Sequence, residues 1–160
     1  MTTDNAAAIA DTDTLTVRRA ICIAAPREKA WEALTDPAHI SRWFGATTLD
    51  PAGARAIVFE GYGAVPLQLA QSDPQTSVTY RWNDHDALAE RLPALDPERA
   101  TTFTLADIPE GTELSVVESG FAITGDPAGN VRKHGEGWTQ ELDKLVALLE
   151  DGVALAESLA

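Results

Sequence analysis

The chain has 160 residues, 44% of them hydrophobic and 23% charged, an ordinary globular mix at the usual size of one domain. Acidic residues outnumber basic ones 25 to 12, a formal charge of −13, and such a surface repels phosphate backbones and anionic lipid. Nucleic-acid and membrane partners are therefore not expected. Cys22, the single cysteine, excludes an internal disulfide, and no apolar run approaches the roughly 20 residues needed to cross a bilayer.

The first residues carry Asp4, Asp11 and Asp13 and no basic n-region, so a secretory signal is not expected and a cytoplasmic location is. Residues 1–13, small and polar, are predicted to form a disordered arm. From Leu15 to Ala24 the pattern alternates: Val17, Arg19, Ile21 and Ile23 on one side, Thr16, Arg18, Ala20 and Cys22 on the other. That predicts a first strand with at least one partly wet face, because Arg18 and Arg19 are adjacent. The apolar run around Cys22 predicts a buried, inert thiol. Pro26 suits the first position of a helix running to Leu34, with Ala30, Trp31 and Leu34 on one face. Asp36 can cap a second short helix through Trp43, whose buried side would be Ile40, Trp43 and Phe44.

Strands and turns follow from Gly53 to Phe121. The runs 56–60 and 65–70 flank Gly61-Tyr62-Gly63, and Pro66 predicts an edge or bulged strand because it cannot donate to the ladder. In the run 77–82, Val78, Tyr80 and Trp82 share a face. The runs 101–106 and 112–121, joined by Ile108 to Gly111, predict a hairpin with Phe103, Leu105, Leu114 and Val116 inward. Between Asn83 and Ala100 lies a polar stretch, either a mobile flap or an ordinary insertion. The clearest element is last: Trp138, Leu142, Leu145, Val146 and Leu149 form one stripe of an amphipathic helix. Gly135 and Gly137 lie near its predicted start, and Asp151-Gly152 supplies a stop unless residues 153–159 continue it.

An antiparallel sheet with one wet face must bury the other, and only the terminal helix is long enough to cover it. A curved sheet gripping one helix leaves space between them, and such spaces hold ligands. The run Ala25-Pro26-Arg27-Glu28-Lys29-Ala30-Trp31-Glu32-Ala33-Leu34-Thr35-Asp36-Pro37, followed by Ile40, Trp43 and Phe44, resembles the opening of the activator of heat-shock protein 90 ATPase homologue-like family, within the SRPBCC (START-like) superfamily. Gly111-Thr112-Glu113-Leu114 leading to Ser119-Gly120-Phe121, and His134-Gly135-Glu136-Gly137-Trp138 with Leu142 and Leu145, resemble its hairpin and last helix. The resemblance runs from about Leu15 to Glu150. It implies an α+β helix-grip (START/Bet v-like) fold over residues 14–160 as a single domain. A curved antiparallel sheet would wrap a long C-terminal helix, with two short helices after the first strand.

The function expected is binding of a small hydrophobic or amphipathic ligand in the cavity between sheet and helix. Candidate ligand-binding residues are Trp43, Tyr62, Tyr80, Trp82, Phe103, His134, Trp138 and Leu142, since Tyr and Trp offer apolar area with a polar handle. Asp84-His85-Asp86 lacks a second histidine nearby, so no metal is expected. No dinucleotide fingerprint or phosphate loop is present, and no cofactor is expected. No catalytic residue is identified. Two alternatives stay open: a co-chaperone-like adaptor stimulating a partner ATPase, or a cyclase/hydrolase-type enzyme using His134 or Tyr80 as acid/base. A monomer or homodimer is expected.

Overall fold

The computed structural model describes residues 5–49, 55–59, 63–81, 99–123 and 125–159. Its strands are β1 (Ile9–Asp11), β2 (Thr16–Ile23), β3 (Ala46–Leu49), β4 (Arg55–Phe59), β5 (Gly63–Asp73), β6 (Ser77–Arg81), β7 (Ala100–Ile108) and β8 (Gly111–Ser119). Its helices are α1 (Arg27–Thr35), α2 (Pro37–Trp43) and α3 (Pro127–Leu159). All strand pairs are antiparallel, in the order β1-β2-β8-β7-β6-β5-β4-β3. β2 and β3 thus lie far apart in the sheet, and α1 and α2 carry the chain between them. α3 then returns across the inner face and packs on β2 and β1. This is the expected helix-grip arrangement.

Period-two alternation decides which side chains enter the core. Val17, Ile21 and Ile23 of β2 are buried, as are Leu114 and Val116 of β8, Phe103 and Leu105 of β7, and Val78 and Tyr80 of β6. Trp138, Leu142, Leu145 and Val146 of α3 cover them, while Leu149 is only partly buried at the margin. The hairpin of β7 and β8 turns at Gly111, whose φ of +145° suits glycine, and a Cβ there would collide with the Ile23 carbonyl oxygen.

Two expectations at the N-terminal side need correction, and the partly wet face expected of the first strand is the one that carries Arg18. Ile9–Asp11, placed in a disordered arm, forms β1 and pairs with Thr16–Arg18 of β2. The wet arginine is Arg18 alone; Arg19 is 4% exposed on the core side. Its guanidinium donates to the carbonyls of Ala6, Trp138 and Thr139 and pairs with Asp143 at 2.7 Å, so the arm is fastened through it to α3. Cys22 is exposed, not buried. The alternation that buries Ile21 and Ile23 turns Cys22 outward, where its N–H and carbonyl pair with the Asn5 side chain.

Asp36 caps α2 as expected, accepting from the Ala38 N–H at 2.9 Å. α3 begins at Pro127, eight residues before Gly135, so both glycines lie inside it rather than at its start. It runs on through Asp151 and Gly152 to Leu159. Pro66 pairs with Ala56 of β4, upstream of Gln68, where the described pairing of β5 with β6 begins. The bulge in that strand falls between Leu69 and Gln71.

Candidate functional site

α1 and α2 bring an aromatic ring cluster against the sheet. Trp43 ends α2 and is 3% exposed; its Nε1 donates to the Ala33 carbonyl at 2.8 Å. Tyr80, also 3% exposed, donates its hydroxyl to the Leu34 carbonyl at 2.6 Å. Both carbonyls belong to the last turn of α1, where no helical N–H is left to reach them. The polar handles of Trp43 and Tyr80 therefore cap a buried helix end, and their apolar faces are what remains for packing.

Those faces meet Phe44, Phe103 and Trp138. Phe44 stacks on Trp43 with ring centroids 5.1 Å apart and on Trp138 at 5.2 Å, with interplanar angles of 23° and 24°. Phe103 stands edge-on to Trp138 at 5.5 Å and to Tyr80 at 6.5 Å. Leu34, Ile40, Trp43, Phe44, Leu67, Tyr80 and Phe103 line an apolar gap of about 10 Å³, room for about one water molecule. No polar atom of these residues lines it.

Behind Trp138 lies a buried polar centre that the sequence reading missed. Glu118 of β8 is fully buried. Arg99, 3% exposed in its side chain, pairs with it at 2.6 Å, and Trp138 Nε1 donates to it at 2.7 Å. His134 Nδ1 lies 2.9 and 3.0 Å from its two oxygens. The Arg99 guanidinium also donates to the Ser119 carbonyl and sits 4.1 Å above the Phe121 ring, against which His134 stands edge-on. Burial, the largest influence, pushes the Glu118 carboxyl up. The charges of His134 and Arg99 and the hydrogen bonds from His134 and Trp138 outweigh it and hold the group at about 2. A carboxyl held there has no proton to give at neutral pH, and its oxygens already accept from three side chains. It anchors rather than reacts.

Of the expected site residues, Trp43, Tyr80 and Phe103 come together around the gap, and Trp138 joins them through Phe44 and Phe103. Leu142, one turn further along α3, is fully buried. His134 points to Glu118 rather than to the gap. Tyr62 and Trp82 lie outside the described residues, as do His85 and the stretch 83–98. Phe44 was read as core and not as site. Glu118 had a signal: Thr112, Leu114, Val116 and Glu118 continue one inward-facing alternation, all four buried.

Comparison with known proteins agrees with this architecture. The protein MLL2253 from Mesorhizobium loti is 32% identical, with a TM-score of 0.69 over 85% of this chain and 97% of that one. DynU16, a protein of the dynemicin biosynthetic locus, is 25% identical with a TM-score of 0.66; the match covers 86% of this chain but only 48% of DynU16. The Aha1 dimer from Colwellia psychrerythraea, 19% identical over 84% of this chain and 96% of that one, has a TM-score of 0.62 and shares the fold. No curated protein matches. Residues 24–150 match the family described as activator of Hsp90 ATPase homolog 1-like protein, and the chain belongs to that family.

Proposed function

We propose that the chain binds a small, flat, apolar molecule at the aromatic gap between α1, α2 and the sheet. The observation that carries this reading is a lining without polar atoms, in which Trp43 and Tyr80 have turned their polar handles to α1. Such a surface gains from stacking and from apolar area removed from water, and has no hydrogen bond to offer. Membership of the family supports the reading through its fold, and one relative, DynU16, belongs to a biosynthetic locus. At about 10 Å³ the gap is too small for an organic molecule, so binding includes a side-chain displacement.

The test is titration with N-phenyl-1-naphthylamine, an uncharged aromatic probe, followed by tryptophan emission and calorimetry. Saturable quenching with a dissociation constant of about 1–10 μM, roughly −7 to −8 kcal/mol, is the expected result. Titration without quenching, heat or a raised melting temperature overturns it, since a ligand that binds only the folded state must stabilise it.

A further inference from the structure

We infer that the outer face of β2, β8 and β7, on the side of the sheet away from α3, docks a second copy of this chain about a two-fold axis that runs along Ala20 and Ser115. The surface lies across the sheet from the aromatic gap, and the inference does not depend on the binding function proposed above.

The alternation that buries Val17, Leu114 and Phe103 turns their neighbours in each strand outward. In a chain with 25 acidic and 12 basic residues, that outer face is nearly free of charge. Of the outward residues of these three strands only Arg18 and Glu113 are charged, and both are exposed. Between them the strand register aligns a row of small side chains, Ala20, Ser115 and Thr104. Val117, 43% exposed, pairs in register with Arg18 and adds apolar area. Two chains that each carry a formal charge of −13 repel through most of their surface, and a face with one acid and one base is where they meet at least cost.

The two charges are placed to complement each other in a second copy. Arg18 pairs with Val117, Ala20 with Ser115, and Cys22 with Glu113. Arg18 therefore lies two residues to one side of the Ala20–Ser115 row, and Glu113 two residues to the other. Rotation by half a turn about that row lays β2 on β2 and β8 on β8 of the second copy, with the strand directions reversed. Glu113 of the second copy then comes level with Arg18, displaced by one strand spacing of about 4.8 Å, across sheets stacked roughly 10 Å apart. Extended arginine and glutamate side chains span that separation. The symmetry makes the contact twice, as a self-complementary interface requires. An axis along the strands instead leaves Arg18 opposite Val117 and Glu113 opposite Cys22, with neither charge matched. Three strands of this length present roughly 400 Å² of flat area, well under the usual 800 Å² per partner, so the dimer is a weak one.

The test is sedimentation equilibrium in reducing buffer at about 0.15 M sodium chloride, where the acids elsewhere on the chain are screened beyond about 8 Å. The wild type should dimerise reversibly with a dissociation constant of about 10–100 μM. Arg18→Glu and Glu113→Arg each set like charges opposite one another twice, and each alone should weaken the dimer about tenfold or more. An equimolar mixture of the two variants, and the double variant Arg18→Glu/Glu113→Arg, should each recover wild-type association, because every pair is then opposite in sign. Both positions are exposed, so the substitutions leave the core intact. A wild type that stays monomeric to about 500 μM overturns the inference. So does a dimer indifferent to the single substitutions, which would place the interface elsewhere. Single variants that weaken association without recovery in the mixture overturn the two-fold pairing of Arg18 with Glu113.

Discussion

Glu118 shows how one side chain can tie β8, the terminal helix and Arg99, the residue before β7. Replacing it with glutamine removes the carboxylate that pairs with the buried Arg99 guanidinium, and breaking such a pair costs about 3–5 kcal/mol. The pH dependence has a definite sign. Its carboxyl is held at about 2, below the ordinary 4.5, so its contribution is complete above about pH 4.5 and is lost as pH falls through about 2. That window corresponds to about 3 kcal/mol. Urea unfolding should therefore separate wild type from Glu118→Gln widely at pH 7 and progressively less towards pH 3. A gap between them that does not narrow in acid would sink the assignment. The alternation of β8 already pointed Glu118 inward, but its partners Arg99 and His134 lie 19 and 16 residues away. Spacing along a strand cannot show what two other elements bring to it. Cys22 was the opposite case: the alternation was legible, and the apolar run around it misled.

At the scale of elements, the short helices could be read because their signals are local: Pro26, then Asp36 followed by Pro37. The start of α3 carried an equally local signal in Asp126-Pro127, where the Asp126 side chain accepts from the Gly129 N–H at 3.2 Å. Gly135 and Gly137 obscured it, because glycine weakens a helix by about 1 kcal/mol relative to alanine. The two glycines now make contrasting predictions. A Cβ on Gly137 would meet nothing within 4 Å, so Gly137→Ala should raise stability by about 0.5–1 kcal/mol in urea unfolding. A Cβ on Gly135 would lie 3.0 Å from the Ala10 Cβ on β1. Gly135→Ala should therefore forfeit that gain and loosen β1, seen as faster amide exchange at Ile9 to Asp11. Equal stabilisation by both substitutions would show that β1 yields freely to α3. Tertiary contact, not propensity, put the glycine at Gly135, which is why the sequence alone read it as a helix boundary.

For the whole molecule, element order and the family resemblance together made the sheet-and-helix architecture legible. The small size of the gap was not, since it depends on how rings and aliphatic side chains from α1, α2 and three strands pack together. Charge is the other property of the whole chain, and here the sequence and the structure combine into a prediction. With a formal charge of −13 on 160 residues, the folded state carries net self-repulsion, which added salt screens. Opposing this, salt also weakens exposed ion pairs, such as Lys29 with Glu32 and Lys144 with Glu141 within helices and Arg27 with Asp107 between α1 and β7. Such pairs are worth a few tenths of a kcal/mol each. Arg99 with Glu118 is buried and screened little. Repulsion should therefore dominate, and raising sodium chloride from about 0.02 to 0.5 M, which shortens the screening length from roughly 20 to 4 Å, should raise the melting temperature by several degrees. The rise should saturate below molar salt, which separates screening from the continuing effect of excluded salts such as sulfate. A melting temperature that falls over the same range would mean that attractive pairs outweigh the net charge, and that the acidic surface is organised against basic groups of the chain itself.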